Sequence, residues 1–125
     1  MKAVVVEEIG SFELQERDIP VPGRGEVLLR VTVTGVCRTD LKLIRVGHRD
    51  LILPRVPGEE VVGTICQLGE DVHEYFLNQR VYVYPGTSCG DCAPCRAGAG
   101  NLCRDMKIMG FHRDGGFAEY VLAPA

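Results

Sequence analysis

Four cysteines fall within fifteen positions of this chain: Cys89, Cys92, Cys95 and Cys103, in the segment CGDCAPCRAGAGNLC. The spacing is C-x2-C-x2-C-x7-C. A two-residue gap lets two sulfurs converge on one ion, and zinc favours four thiolates in a tetrahedron. With Cys at all four positions no site is left for water, which marks a closed, structural zinc site. Four unrelated buried thiols would leave such density without a packing reason. An iron–sulfur cluster is the sharper rival. The bacterial ferredoxin run also opens C-x2-C-x2-C, but its fourth Cys follows after three residues and precedes Pro. Here the last gap is seven and Arg104 follows, so zinc is expected.

A second group combines a thiol, a hydroxyl and carboxylates. Cys37-Arg38-Thr39-Asp40 follows the strongest strand pattern, and Pro57-Gly58-Glu59-Glu60 opens another. Read alone, a Cys at a strand end is usually a small buried hydrophobe, and Glu59-Glu60 is a solvated acidic pair. Cys66, beside Ile65 and Leu68, reads as core. His48 reads as an exposed loop imidazole that could stand in for a ligand, and His73 as surface. His112, beside Gly115-Gly116, is weighed for a place facing a cleft without being assigned one.

The elements that must position these groups are mostly short strands. Lys2–Glu7 is β-branched and apolar, and Phe12–Asp18 alternates weakly before Pro20-Val21-Pro22-Gly23. Gly25–Gly35 alternates well, placing Val27, Leu29, Val31 and Val33 on one face and Leu28, Arg30, Thr32 and Thr34 on the other. Thr39–Val46 is the helix candidate, with Leu41, Leu43 and Ile44 at helical spacing, Thr39 or Asp40 as cap and Gly47 as stop. Val61–Leu68, Arg80–Tyr84 and Gly116–Leu122 read as strands. Pro85–Lys107 reads as a lobe with little regular structure. Many short strands with one short helix suggest a β-rich barrel or sandwich. No strand–glycine turn–helix unit is present, so no dinucleotide fold is expected within these residues.

Composition narrows the class. The chain has 125 residues and a formal net charge of −3, which with mixed charges argues against nucleic acid or an anionic membrane as partner. Its 46% hydrophobic and 25% charged residues are globular rather than disordered proportions. No apolar run approaches the roughly 20 residues of a membrane span. The N-terminus meets Glu7 and Glu8 before an apolar core could form, so no signal peptide is read there and a cytoplasmic location is expected. Disulfides are rare in that compartment.

In order along the whole chain, these pieces resemble the zinc-dependent medium-chain alcohol dehydrogenases. The resemblance runs through MKAVVV, Pro-Gly-x-Gly-Glu-Val at 22–27, the Cys-x-Thr-Asp turn at 37–40, the Gly-x-Glu-x-x-Gly segment at 58–63, the four-Cys lobe, and Asp114-Gly115-Gly116-Phe117-Ala118-Glu119-Tyr120-Val121. It implies a mainly β, GroES-like, partly open barrel with a short helix and a structural-zinc lobe over 85–107. It implies that residues 1–125 are the catalytic domain, with the nucleotide-binding domain absent. In that family a hydride passes between an alcohol or carbonyl and a nicotinamide, and a catalytic zinc acts as Lewis acid. The resemblance makes Cys37 a catalytic-zinc ligand, Thr39 the hydroxyl that passes the substrate proton, Glu60 a glutamate beside the zinc, and Asp40 an orienting residue. Glu59 stands where the family pattern has His, and Lys42 where a relay His is common. One further ligand of the family lies past Ala125. NAD or NADP would enter only through the other domain, so turnover is not expected from these residues alone. The expected partners are a small alcohol or carbonyl substrate and, with room left for it, a second copy. The rival from another class is a stand-alone zinc-stabilised β-domain for binding or assembly, which the Glu59 departure favours.

Overall fold

The computed structural model describes all residues, Met1–Ala125. Its centre is a four-stranded antiparallel sheet in the order β5-β4-β3-β8, formed by β3 (Glu26–Gly35), β4 (Glu60–Leu68), β5 (Arg80–Val83) and β8 (Tyr120–Pro124). A two-stranded sheet joins β1 (Lys2–Val5) to β2 (Glu13–Glu16), and a second joins β6 (Gly86–Thr87) to β7 (Lys107–Ile108). Isolated bridges, Ala3 to Ala118 and Val6 to Arg55, tie the first small sheet to the rest. The architecture is thus mainly β, as expected, with open sheets that are not closed into a continuous barrel.

The inner face of the large sheet builds the main core from Val27, Leu29, Val61, Ile65, Val83, Met109, Val121 and Ala123. Burying apolar side chains of this kind is worth about 1.5–3 kcal/mol each. Ala3, Val5 and Val56 form a second cluster with Phe117 and Ala118 against it. No helix is long and apolar enough to cross a membrane.

Simple alternation along β3 fails at two places. Leu28, expected opposite Leu29, is buried with it, whereas Val33, expected inward, is 58% exposed. Register shifts between Leu28 and Leu29 and between Val31 and Val33 explain both. A bulge adds a residue to one strand, so the inward set changes phase. The first shift also decides Cys66: Leu28 pairs with Gln67 and Leu29 with Ile65, leaving Cys66 between them. Ile65 takes the core and Cys66 is exposed, not buried.

The helix α1 runs Arg38–Val46, and Cys37, not Thr39 or Asp40, occupies the capping position. Asp40 lies in the first turn and reaches back to the Cys37 N–H. Of the three apolar positions only Leu43 is buried; Leu41 is 46% exposed. Gly47 ends the helix, its N–H bonding to the Lys42 and Leu43 carbonyls. The last strand begins at Tyr120 rather than Gly116, because residues 115–117 spend their amides on the segment 56–58 instead of on a neighbouring strand.

Candidate metal centres

The lobe predicted over 85–107 is closed at its base by the β6–β7 pair, Gly86 with Ile108 and Thr87 with Lys107. Within it are a short helix α2 (Ala93–Arg96) and a 3-10 turn, Gly100–Leu102. These bring Cys89, Cys92, Cys95 and Cys103 together, with all four Sγ atoms within 4.8 Å of one another. The Cys92 sulfur lies 3.4 Å from that of Cys95 and 3.9 Å from that of Cys103. A zinc–sulfur bond of about 2.3 Å puts tetrahedral sulfurs roughly 3.8 Å apart, so the set fits one zinc ion. The sulfurs converge on one point rather than spreading around several irons.

Backbone amides point at these sulfurs. Cys89 N–H donates to Cys103 Sγ at 3.3 Å, Asp105 N–H to the same sulfur at 3.3 Å, and Cys92 N–H to Cys89 Sγ at 3.4 Å. Hydrogen bonds to a charged sulfur favour the thiolate. The Cys92 thiol is pushed down to about 6, first by the Arg104 backbone and then by that of Cys95. Its hydrogen-bonded neighbour Cys95 is pushed up to about 11, chiefly by Cys92 itself. The hydrogen bonds that converge on Cys92 thus favour a thiolate in this pair.

The second centre joins residues far apart in sequence. Strand β3 delivers Cys37 and the approach to β4 delivers Glu59, and the Cys37 sulfur stands 3.4 Å from Glu59 Oε1. Asp40, 1% exposed, fixes this meeting. One of its carboxylate oxygens accepts the Cys37 N–H at 2.8 Å and the other accepts the Gly58 N–H at 3.0 Å. A single buried side chain therefore ties together the two backbones that carry the donors. Gly58 takes φ = 97°, in the left-handed region, and a Cβ there would press on Phe117. That conformation favours glycine.

Burial pushes the Cys37 thiol above its ordinary value, against the pull of hydrogen bonds from the Asp40 backbone and the Thr39 side chain. A sulfur and an oxygen bound to one tetrahedral ion, at about 2.3 and 2.1 Å, stand roughly 3.6 Å apart. Cys37 and Glu59 fit that spacing. Glu60 is exposed and folds its carboxylate over Gly35. The four-Cys lobe is the one place where three or more such donors converge, so the Cys37 centre brings two together.

The histidines stand elsewhere. His48 packs edge-on against buried Phe111, ring centres 5.3 Å apart, and its Nδ1 accepts the Asp50 N–H at 3.2 Å. His112 accepts the Ile108 N–H at 3.0 Å and lines a cavity of 490 Å³ with Arg17, Asp114 and Tyr120, a cavity that includes neither Cys37 nor Glu59. Lys42 is exposed on α1. What the sequence reading missed was the hold on the 56–58 backbone, made by the exposed Asp114 side chain and by the amides of the buried Gly115 and Gly116. The signal available was the adjacent glycine pair behind an Asp.

Comparison with known proteins identifies the fold. The family model described as the alcohol dehydrogenase GroES-like domain matches residues 23–125. The chain belongs to that family. It is 32% identical over 124 residues to L-galactonate-5-dehydrogenase of Escherichia coli strain K12, covering 99% of this chain and 36% of that protein. It superposes with TM-score 0.92 and 41% identity on a short chain alcohol dehydrogenase of Escherichia coli CFT073 complexed with NADH, covering 100% of this chain and 36% of that one. With TM-score 0.93 and 32% identity it superposes on a cobalt and zinc bound thermostable alcohol dehydrogenase from Pyrobaculum aerophilum, covering 99% of this chain and 39% of that one. The chain thus spans little more than a third of the length of the curated relatives it matches.

Proposed function

We propose that residues 1–125 act as the GroES-like catalytic domain of a zinc-dependent alcohol or polyol dehydrogenase. The 85–107 lobe holds a structural zinc on Cys89, Cys92, Cys95 and Cys103. Cys37 and Glu59 hold the catalytic zinc, and Glu60, the next residue in the chain, lies outside this pair with its carboxylate over Gly35. The observation that carries this reading is the 3.4 Å approach of Cys37 to Glu59 inside a fold of that family. When bound, the catalytic ion supplies Lewis acidity toward an alcohol or carbonyl oxygen. The chain's own groups do the rest. Cys37 and Glu59 bind the ion, Asp40 orients both donors, and the Thr39 hydroxyl moves the substrate proton away from the site. A nicotinamide, NAD or NADP, would be held by residues beyond these, and the protein would work in the cytoplasm.

Zinc stoichiometry tests the reading. The expected result is two ions per chain, with one lost in Cys37→Ser while the lobe keeps its own. One ion in the wild-type chain fits either reading, whereas a second ion that persists in Cys37→Ser would overturn the catalytic-centre assignment. That outcome would favour the second reading, a zinc-stabilised β-domain for binding or assembly, which the convergence of two donors rather than three at Cys37 already supports.

A further inference from the structure

Glu59 follows a segment, Val56–Gly58, that belongs to no strand yet is buried. It is gripped from two sides. On one side Asp40 accepts the Gly58 N–H. On the other, three consecutive amides of the 115–117 loop donate to it: Gly115 to the Val56 carbonyl at 2.7 Å, Gly116 to that of Gly58 at 2.8 Å, and Phe117 to that of Pro57 at 3.0 Å. Asp114 adds a side-chain anchor, accepting from the Val56 N–H at 3.1 Å and from Arg55 Nη1 at 2.9 Å. Gly115 and Gly116 are themselves buried, and neither has room for a side chain. A Cβ on Gly115 would collide with the Gly58 and Pro57 carbonyl oxygens; one on Gly116 would collide with Val61 Cγ2. Gly115 is thus what lets one backbone lie directly on the other, and Gly116 is what lets the loop pass against Val61, two residues beyond Glu59.

We propose that Gly115 and Gly116 are positioning residues for the Cys37–Glu59 centre. By admitting the 115–117 loop into backbone contact with Val56–Gly58, they set the path of that segment and hence the distance from Glu59 to Cys37. This rests on the reading that those two residues share a metal ion. Groups that orient a ligand without touching the metal typically govern roughly 10–100-fold of its affinity. A side chain at position 116 acts in that way, by shifting Glu59 rather than by removing a donor.

The test is equilibrium dialysis of the whole chain against Zn²⁺, with circular dichroism to report folding. Wild type is measured first. If it binds one ion, Cys37 and Glu59 hold none in this chain and the proposal falls before any variant is made. If it binds two, Gly116→Ala is expected to keep the lobe ion and the wild-type dichroism while the second ion binds about 10–100-fold more weakly. A merely structural role would lower the unfolding temperature and leave the second-site affinity of the folded chain unchanged, and that result overturns the proposal. Should Gly116→Ala fold poorly, Val61→Ala added to it removes the colliding Cγ2. Recovery of the second ion in that double variant supports the positioning role, and continued loss in a folded double variant overturns it.

Discussion

The lobe and the Cys37 centre gather metal donors in opposite ways. In the lobe, four sulfurs come from fifteen consecutive residues, and the surrounding backbone is one short helix, one 3-10 turn and a two-residue strand pair. Little apolar packing supports them; the two most regular elements there bury no residue. At the Cys37 centre the donors are 22 residues apart and the framework is already built without them. Two long strands, a buried carboxylate and a glycine loop hold the site. The two regions differ in which partner does the organising. On the proposed reading an ion would order the lobe, whereas the fold orders the Cys37 centre and an ion would be its guest.

The largest effect that could break this contrast is metal removal. Structural zinc in small peptides is worth about 10–16 kcal/mol at neutral pH. Chelation is expected to open residues 85–107 to protease and to hydrogen exchange while the sheet core around Leu29, Val61 and Ile65 stays protected. Global unfolding on chelation would show instead that Met109, which follows the lobe into the core, transmits the loss. Protection of 85–107 unchanged after confirmed metal loss would show that the lobe is ordered without an ion.

A smaller effect belongs to the other region. Asp40→Ala leaves the Cys37 and Gly58 amides without their acceptor in a buried setting. Each unsatisfied group costs about 1–3 kcal/mol, so the expected loss in a urea titration is about 2–6 kcal/mol. The lobe should keep its zinc throughout. Asp40→Asn, which retains one acceptor oxygen, should lose less. Loss of the lobe ion in a folded Asp40→Ala chain would show that the two regions are coupled.

The same contrast explains what was legible in the sequence. The lobe could be read from spacing, because its donors are neighbours and each gap has a direct geometric meaning. The strands of the large sheet were legible within a few residues, because alternation and β-branching are local signals. The inward set along β3 was not legible beyond Val27, Leu29 and Val31. A bulge depends on how β3 and β4 pair, and no single-strand pattern contains that. Cys66 was misplaced for the same reason. The pairing of Cys37 with Glu59 was reached only through family resemblance, since the residues that create it, Asp40 and the 115–117 loop, act across 18 and about 58 residues of chain. The family resemblance carried the role of Asp40 as an orienting residue but not its two backbone partners.

Cys66 supplies the smallest effect and the control for both regions. It is the one cysteine in neither donor group, and its thiol is exposed, donating to the Leu28 carbonyl at 3.4 Å. A serine hydroxyl can make that bond from the same place. It gives up little apolar burial, because Ile65 rather than Cys66 takes the core. Exposed substitutions away from caps and networks usually stay within about 0.5 kcal/mol, so Cys66→Ser is expected to shift stability by no more than that. The zinc content should not change, because Cys66 lies in neither donor group. A core position would behave otherwise, since burying a hydroxyl without full compensation costs about 1–3 kcal/mol. A loss in that range in a urea titration would mean that β4 pairs with β3 without the bulge, and that the inward face of the sheet follows simple alternation after all.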